Sequence, residues 1–199
     1  MSAETKIKII EAVIDIIRND YNNEELTLSK IAKRIDIAKS TIYEHFESKQ
    51  DLVCEASIHL ISNYEKRFVA IDIDSLSFKR SFSLFLEQMI DMLAEANALF
   101  QFMISDLSFE SKPKFHERTL LKAQQTEELV GELLRNVLKK GVEEGKINSS
   151  LEYDSLMIYG GFLLGNVIQF INGKFKTTKE ELIETLFHHG LKLLNEEKR

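Results

Sequence analysis

"LTLSKIAKRIDIAKSTIYEHFESKQDL", residues 26–52, is the stretch on which the fold turns. It contains neither Gly nor Pro, so nothing in it breaks a helix outright. Its apolar residues fall into two short periodic sets. Leu28, Ile31, Ala32 and Ile35 repeat at helical spacing behind Thr27, a residue type whose side-chain oxygen caps helix N-termini. Ile42 and Phe46, four apart, mark a second short helix. Between the two, Asp36 is the residue that readily takes a left-handed turn. Ser48 and Asp51 have the spacing of a capping box, with Asp in place of the usual Glu or Gln. They open a long helix carrying Leu52, Val53, Ala56, Leu60, Tyr64 and Phe68.

Upstream, Ile7, Ile10, Ile14 and Ile17 predict a first helix over residues 4–20. A first helix packed across two short helices joined by a tight turn is a helix-turn-helix of the three-helix type. Ile31, Ala32, Ile35, Ile37, Ile42 and Phe46 supply its inner face. That leaves Lys39, Ser40, Thr41, Tyr43, Glu44 and His45 outward on the third helix. Short hydroxyls and a lysine hydrogen-bond base edges or phosphates. Lys49, at the start of the fourth helix, adds a positive charge where the helix dipole also favours an anion. The chain as a whole has a net charge of −6, yet Thr27 to Gln50 holds five basic residues (Lys30, Lys33, Arg34, Lys39, Lys49) against three acids. A protein that coats nucleic acid by bulk basicity is excluded; a local contact face is not.

These residues resemble the DNA-binding signature of the TetR family of bacterial transcriptional regulators. The matching positions are Thr27, Ile31, Ala32, Lys39, Thr41, Tyr43, His45, Phe46, Ser48, Lys49 and Leu52, with "IYEHFESK" at the family's core spacing. The resemblance covers residues 7–55. It implies that Thr27 caps the second helix and contacts phosphate, and that Lys39, Ser40 and Thr41 enter the major groove. It also implies that Tyr43 and Lys49 hold phosphates and that His45 sits at the DNA face. The chain departs from the family at the turn, where Asp36 replaces the usual Gly, and at Ala38, where Ser or Thr is usual. The missing hydroxyl at Ala38 weakens the N-cap of the recognition helix by about 1 kcal/mol. Glu44 adds a negative charge near the DNA face.

Beyond residue 70 the resemblance fades. "AIDIDSLS" reads as a linker, followed by a helix over 77–96, a short helix over 97–106, and a loop around the only proline. A long helix over 115–144 ends at Gly145, and two more cover 152–172 and 178–196. Phe82, Phe85, Met89, Met92, Phe100, Phe102 and Met103 form a stripe that reads either as core or as the wall of an apolar pocket. The candidate ligand residues are Phe85, Gln88, Met89, Phe102, Met103, Tyr159, Phe162 and Asn166. Gly161 and Gly165 share one face of the penultimate helix with Leu164 and Ile168. Together with Leu182 and Leu186 of the last helix they either complete a monomer core or, as the resemblance implies, form a four-helix homodimer interface.

The expected fold is all-α, with a helix-turn-helix domain at 1–48 and a helical regulatory domain for ligand binding and dimerisation at 49–199. Cys54 is the only cysteine, so no disulfide forms within the chain, which fits a reducing compartment. No apolar run approaches the roughly 18 residues of a membrane span. The expected location is cytoplasmic. No metal-ligand spacing, nucleophile–base pair or nucleotide fingerprint is present, so neither an enzyme nor a cofactor is expected. The expected function is a dimeric repressor released from a palindromic operator by a small effector, with the apolar stripe pointing to a hydrophobic one. The fourth helix is the expected lever between the two parts, with Ala56 as its tight point. The competing readings are an apolar-ligand carrier and a regulator answering to a protein partner.

Overall fold

The structure is a computed structural model that describes residues 3–20, 27–104, 113–147 and 153–195, with side chains for 3–18, 27–99, Gln101, 117–147 and 154–195. Among these residues it is all α-helix: α1 (Ala3–Asp20), α2 (Leu28–Arg34), α3 (Lys39–His45), α4 (Lys49–Val69), α5 (Phe78–Ile104), α6 (Pro113–Glu143), α7 (Tyr153–Ile171) and α8 (Lys179–Asn195). The expected break near residue 96 is absent; α5 runs through it. Ala94, Ala96 and Ala98 are strong helix formers, and no Gly or Pro interrupts the segment. The lone proline is not in a loop either. Pro113 is the first residue of α6, where its missing N–H costs no helical hydrogen bond.

The chain packs as two compact units. One comprises Met1–Asn63 and Ala94–Gln125, the other Tyr64–Leu93 and Thr126–Arg199. The cuts fall inside α4, α5 and α6, so packing divides the chain differently from the expected division by task at residue 48.

In the first unit the core is built from α1 to α4. Ile9, Ile10, Val13, Ile14, Ile16, Ile17, Ile31, Ala32, Ile42, Phe46 and Leu52 are buried. Burying each of the larger of these side chains contributes about 1.5–3 kcal/mol. Ile7, expected in the apolar stripe of α1, is 41% exposed. Asp36 has φ 54°, the one non-glycine in the left-handed region among the described residues. Around it Ile37 N–H donates to Ala32 O at 3.0 Å, closing α2 as glycine C-caps do. Ala38 precedes α3 with no side-chain cap. At α4, Asp51 N–H donates to Ser48 Oγ at 3.1 Å, the expected half of the box. The return bond differs: the Asp51 carboxylate accepts from Glu47 N–H at 3.2 Å, one residue outside the usual position. The shorter Asp side chain stands where Glu or Gln is usual.

In the second unit an aromatic cluster joins α5 to α8. The Phe187 ring lies 5.3 Å from Phe78 and 5.4 Å from Phe82. Ion pairs flank it, Lys79–Glu184 at 2.7 Å and Lys179–Asp91 at 2.9 Å. α7 packs its Leu156, Tyr159, Leu163 and Val167 face inward. Gly190 on α8 is what lets Tyr159 in: a Cβ there would sit 2.2 Å from the phenol oxygen. Burial pushes that phenol above the usual tyrosine range. The last helix is closed at its start by a reciprocal box, in which Glu181 N–H donates to Thr178 Oγ1 at 3.2 Å and Thr178 N–H to Glu181 Oε2 at 3.0 Å.

Candidate nucleic-acid interface

Seven residues of α3 do two jobs, and the core decides which side does which. Ile42 inside α3 and Phe46 at its C-cap are 1% exposed and anchor the helix on α1 and α2. A helix so anchored must turn its other side outward. Lys39, Ser40 and Glu44 are exposed, Tyr43 is 53% exposed, and Thr41 and His45 are half-buried. A tyrosine this exposed is not core. Its ring and hydroxyl are presented beside a lysine and a serine, a surface suited to phosphates and base edges.

Thr27 accepts from Lys30 N–H at 3.2 Å through Oγ1, so it caps α2 while remaining exposed. Lys49 is the first residue of α4, where the positive end of the helix dipole lies. Asp51 in the same turn partly offsets that potential. The basic count is also reduced. The Arg34 guanidinium holds Asp15 of α1, with Nε at 3.0 Å from Oδ2, and so serves the fold of the unit. The remaining positive charge of the segment comes from lysines.

The residues expected to bind a ligand are only partly brought together. Phe85, Met89 and Tyr159 are buried in the second unit, and Tyr159 stacks with Phe162 at 6.1 Å. Gln88 is half-buried, and its Oε1 is buried with no hydrogen-bond partner. Asn166 donates its amide to Phe162 O at 2.7 Å, so that donor is engaged by its own helix. The side chains of Phe102 and Met103 lie outside the described residues. A cleft of about 560 Å³ opens elsewhere, beside the α4–α5 connection, with Val69, Ile71, Asp72, Asp74, Lys139 and Lys140 in its wall. No sequence signal marked it beyond the alternation of "AIDID". Among the described residues no group of His, Cys, Asp or Glu is placed to hold a metal ion.

The residues expected at an association face fall into two groups. Gly161, Leu164, Gly165 and Ile168 are exposed, and among the described residues no atom beyond the local helix backbone lies within 4 Å of a Cβ built on Gly161 or Gly165. Met157 (55% exposed) and Ile158 (73%) extend the same apolar surface. Leu182 and Leu186 follow the alternative of a monomer core. They are 4% and 2% exposed within the chain, on the face of α8 that completes its own core. The exposed side of α8 is mostly polar, carrying Thr185, His188, His189 and Lys192, with Leu193 49% exposed among them. Contrary to the expectation that no apolar run approaches the length of a membrane span, Asp154–Ile171 is long and apolar enough to cross one by length and composition, and 17% of it is buried.

Comparison with known proteins bears on this arrangement. Residues 20–56 match the sequence model of the bacterial regulatory proteins, tetR family. A fatty acid metabolism regulator protein of Bacillus subtilis (strain 168) is 24% identical over 150 residues, spanning 73% of this chain and 72% of its own. Among solved structures, the transcriptional regulator FadR of Bacillus subtilis in complex with stearoyl-CoA superposes with a TM-score of 0.53 at 20% identity, covering 97% of this chain and 99% of its own. A transcriptional regulator of Saccharomonospora viridis in complex with choline gives a TM-score of 0.65 at 19% identity, covering 94% and 95%. The matched segment is the one whose burial pattern turns Lys39, Ser40 and Tyr43 outward, so over residues 20–56 the chain is similar to the bacterial regulatory proteins of the tetR family, and the relatives named here are regulators.

Proposed function

We propose that this protein is a dimeric, cytoplasmic repressor that leaves a palindromic operator when a small-molecule effector binds its second part. The observation that carries the DNA reading is α3, with Ile42 and the C-capping Phe46 buried and Lys39, Ser40 and Tyr43 turned out. Thr41 and His45 at its edge, Thr27 before α2 and Lys49 on α4 complete the contact face. The exposed apolar stripe of α7, from Met157 to Ile168, supports the dimer. Exposed patches of this kind mark association surfaces, and a two-fold pair of heads matches a palindrome with half-sites about one helical turn, roughly 34 Å, apart or somewhat more.

A long-chain acyl thioester is the effector class to try first. A relative's structure holds stearoyl-CoA, and Phe85, Met89, Tyr159 and Phe162 supply apolar surface with Gln88 as a polar point. The buried state of Phe85, at 1% exposure, favours a second reading, in which the core is filled and a protein partner sets DNA affinity.

Selection of bound DNA from a random duplex pool at fixed salt tests the first claim, since affinity depends on salt. The expected result is a palindrome that is lost or weakened in Tyr43→Ala and Lys49→Ala. Stearoyl-CoA titrated into the recovered complex tests the second: release supports effector control, and unchanged binding up to saturation of the protein supports the partner reading.

A further inference from the structure

Within the first unit, one carboxylate on α4 joins two helices that are far apart in sequence. Glu55 Oε1 lies 2.9 Å from Arg118 Nη2 on α6, and its Oε2 lies 3.4 Å from Lys6 Nζ on α1. The Glu55 side chain is 20% exposed, while Arg118 and Lys6 are 54% and 37% exposed, so both attractions are partly screened. The next residue holds the register. Cys54 Sγ lies 3.3 Å from Thr119 Oγ1, so two consecutive residues of α4 meet two consecutive residues of α6.

Lys6 then reaches further. Its ammonium lies 5.4 Å from the centroid of the Phe46 ring. Phe46 is the C-cap of α3, and its N–H donates to Ile42 O at 3.0 Å. Arg118, Glu55, Lys6 and Phe46 therefore form an unbroken chain of contacts from α6 to the end of the helix that carries the outward DNA-facing side chains. A second tie, Arg18 Nε to Glu95 Oε1 at 2.8 Å, joins α1 to the C-terminal part of α5.

We propose that Arg118, Glu55 and Lys6 are positioning residues for the recognition helix. Arg118 shares the Glu55 carboxylate with Lys6. Without Arg118 the full charge of Glu55 acts on Lys6 and draws its ammonium off the Phe46 ring. The C-terminal turn of α3 then loses a cation–π contact that helps hold its cap. None of the three needs to touch DNA. The inference rests on the reading of α3 as the DNA-facing helix, but its first test does not use DNA.

That test is amide hydrogen exchange on the full-length protein, wild type against Arg118→Met, Arg118→Lys and Lys6→Met. The expected result is faster exchange at residues 42–46 in Arg118→Met by about two- to fivefold, the range a partly exposed ion pair supplies. Arg118→Lys, which keeps the charge, should return the rate towards wild type, and Lys6→Met with Arg118→Met should be no worse than Lys6→Met alone. Unchanged exchange at 42–46, an equal rise over all of α1 to α4, or no rescue by Lys would each overturn the proposal. The companion measurement is duplex affinity for the same set at fixed salt. If wild type binds no duplex, the DNA reading fails while the exchange pattern still decides the relay. If it binds, Arg118→Met should weaken binding by a similar factor, non-additively with Lys6→Met.

Discussion

α3 and α7 treat their surfaces in opposite ways. α3 is seven residues long, buries Ile42, and shows the solvent lysine, hydroxyls and an exposed tyrosine. α7 is nineteen residues long, buries one apolar face, and shows the solvent a second, with Met157, Ile158, Leu164 and Ile168 exposed. On α3 the outward side chains are polar and differ from the core in kind. On α7 inside and outside look alike in sequence, and only the packing tells them apart. A polar face is stable in water as it stands, so folding alone leaves open what it contacts. An apolar face left in water costs free energy until something covers it.

The largest effect that can break this contrast is at the C-cap of α3. Phe46→Ala removes a fully buried ring and should cost about 3–5 kcal/mol in urea unfolding. Tyr43→Ala should cost less than about 0.5 kcal/mol while weakening DNA binding. Equal stability losses at the two positions would place Tyr43 in the core and remove the proposed contact face.

On α7 the inner and outer faces can be separated by two glycines. Gly190→Ala drives a methyl into the Tyr159 ring that α7 inserts there, and should destabilise by about 1–3 kcal/mol. Gly161→Ala meets open space within the subunit and should leave subunit unfolding unchanged or slightly improved. Comparable losses from both would mean that the chain's own packing, not a partner, occupies the outer face.

Ile168→Glu places a charge in the exposed stripe. The subunit should fold with unchanged helix content, while sedimentation shows association weakened at least tenfold, about 1.4 kcal/mol. Unaltered association would move the dimer contact off α7. At the other end of the comparison, Ala38→Ser supplies the cap that α3 lacks and should stabilise the first unit by about 1 kcal/mol. A gain in stability without a loss of DNA affinity would show that Ala38 is not itself a contact.

The smallest effect is the acid limb at α8. The Thr178 backbone N–H, with the Thr177 hydroxyl, holds the Glu181 carboxyl below its usual range. A depressed carboxyl contributes stability above its unfolded pKa, and the contribution is lost as pH falls through the folded one. Glu181→Gln should therefore flatten the acid side of the stability profile slightly and leave the neutral side lowered by the same small amount. An acid limb identical to wild type would show that the box holds no charge-dependent stability.

Most of the first unit was legible in the amino-acid sequence, because its signals are local. A cap at Thr27, a left-handed residue at Asp36 and an i, i+4 pair at Ile42 and Phe46 act within a few residues of themselves. Local hydrogen bonds and helical periodicity then leave only one face for Lys39, Ser40 and Tyr43. The same reasoning located the glycine end of α6, where Gly145 has φ 67°; Gly173, at φ 68°, follows α7 in the same way and was not singled out in the sequence. It did not find that α5 is one helix through residue 96, since weak composition changes there carry no breaker.

Tertiary packing decided the rest. Leu182 and Leu164 are both leucines at helical spacing, yet one is buried at 4% and the other is 42% exposed. Nothing within a few residues distinguishes them; the aromatic cluster around Phe187 and the insertion of Tyr159 at Gly190 do. Among the described residues of the chain the close approaches are at Gly190 and Gly141 and not at Gly161 or Gly165, because contact between helices depends on what faces the residue across a gap that sequence spacing does not record. The Glu55 junction has the same origin: its partners stand 49 positions before and 63 after it in the chain. Periodicity determines which way a side chain points from its own helix, and only the fold determines what it meets there.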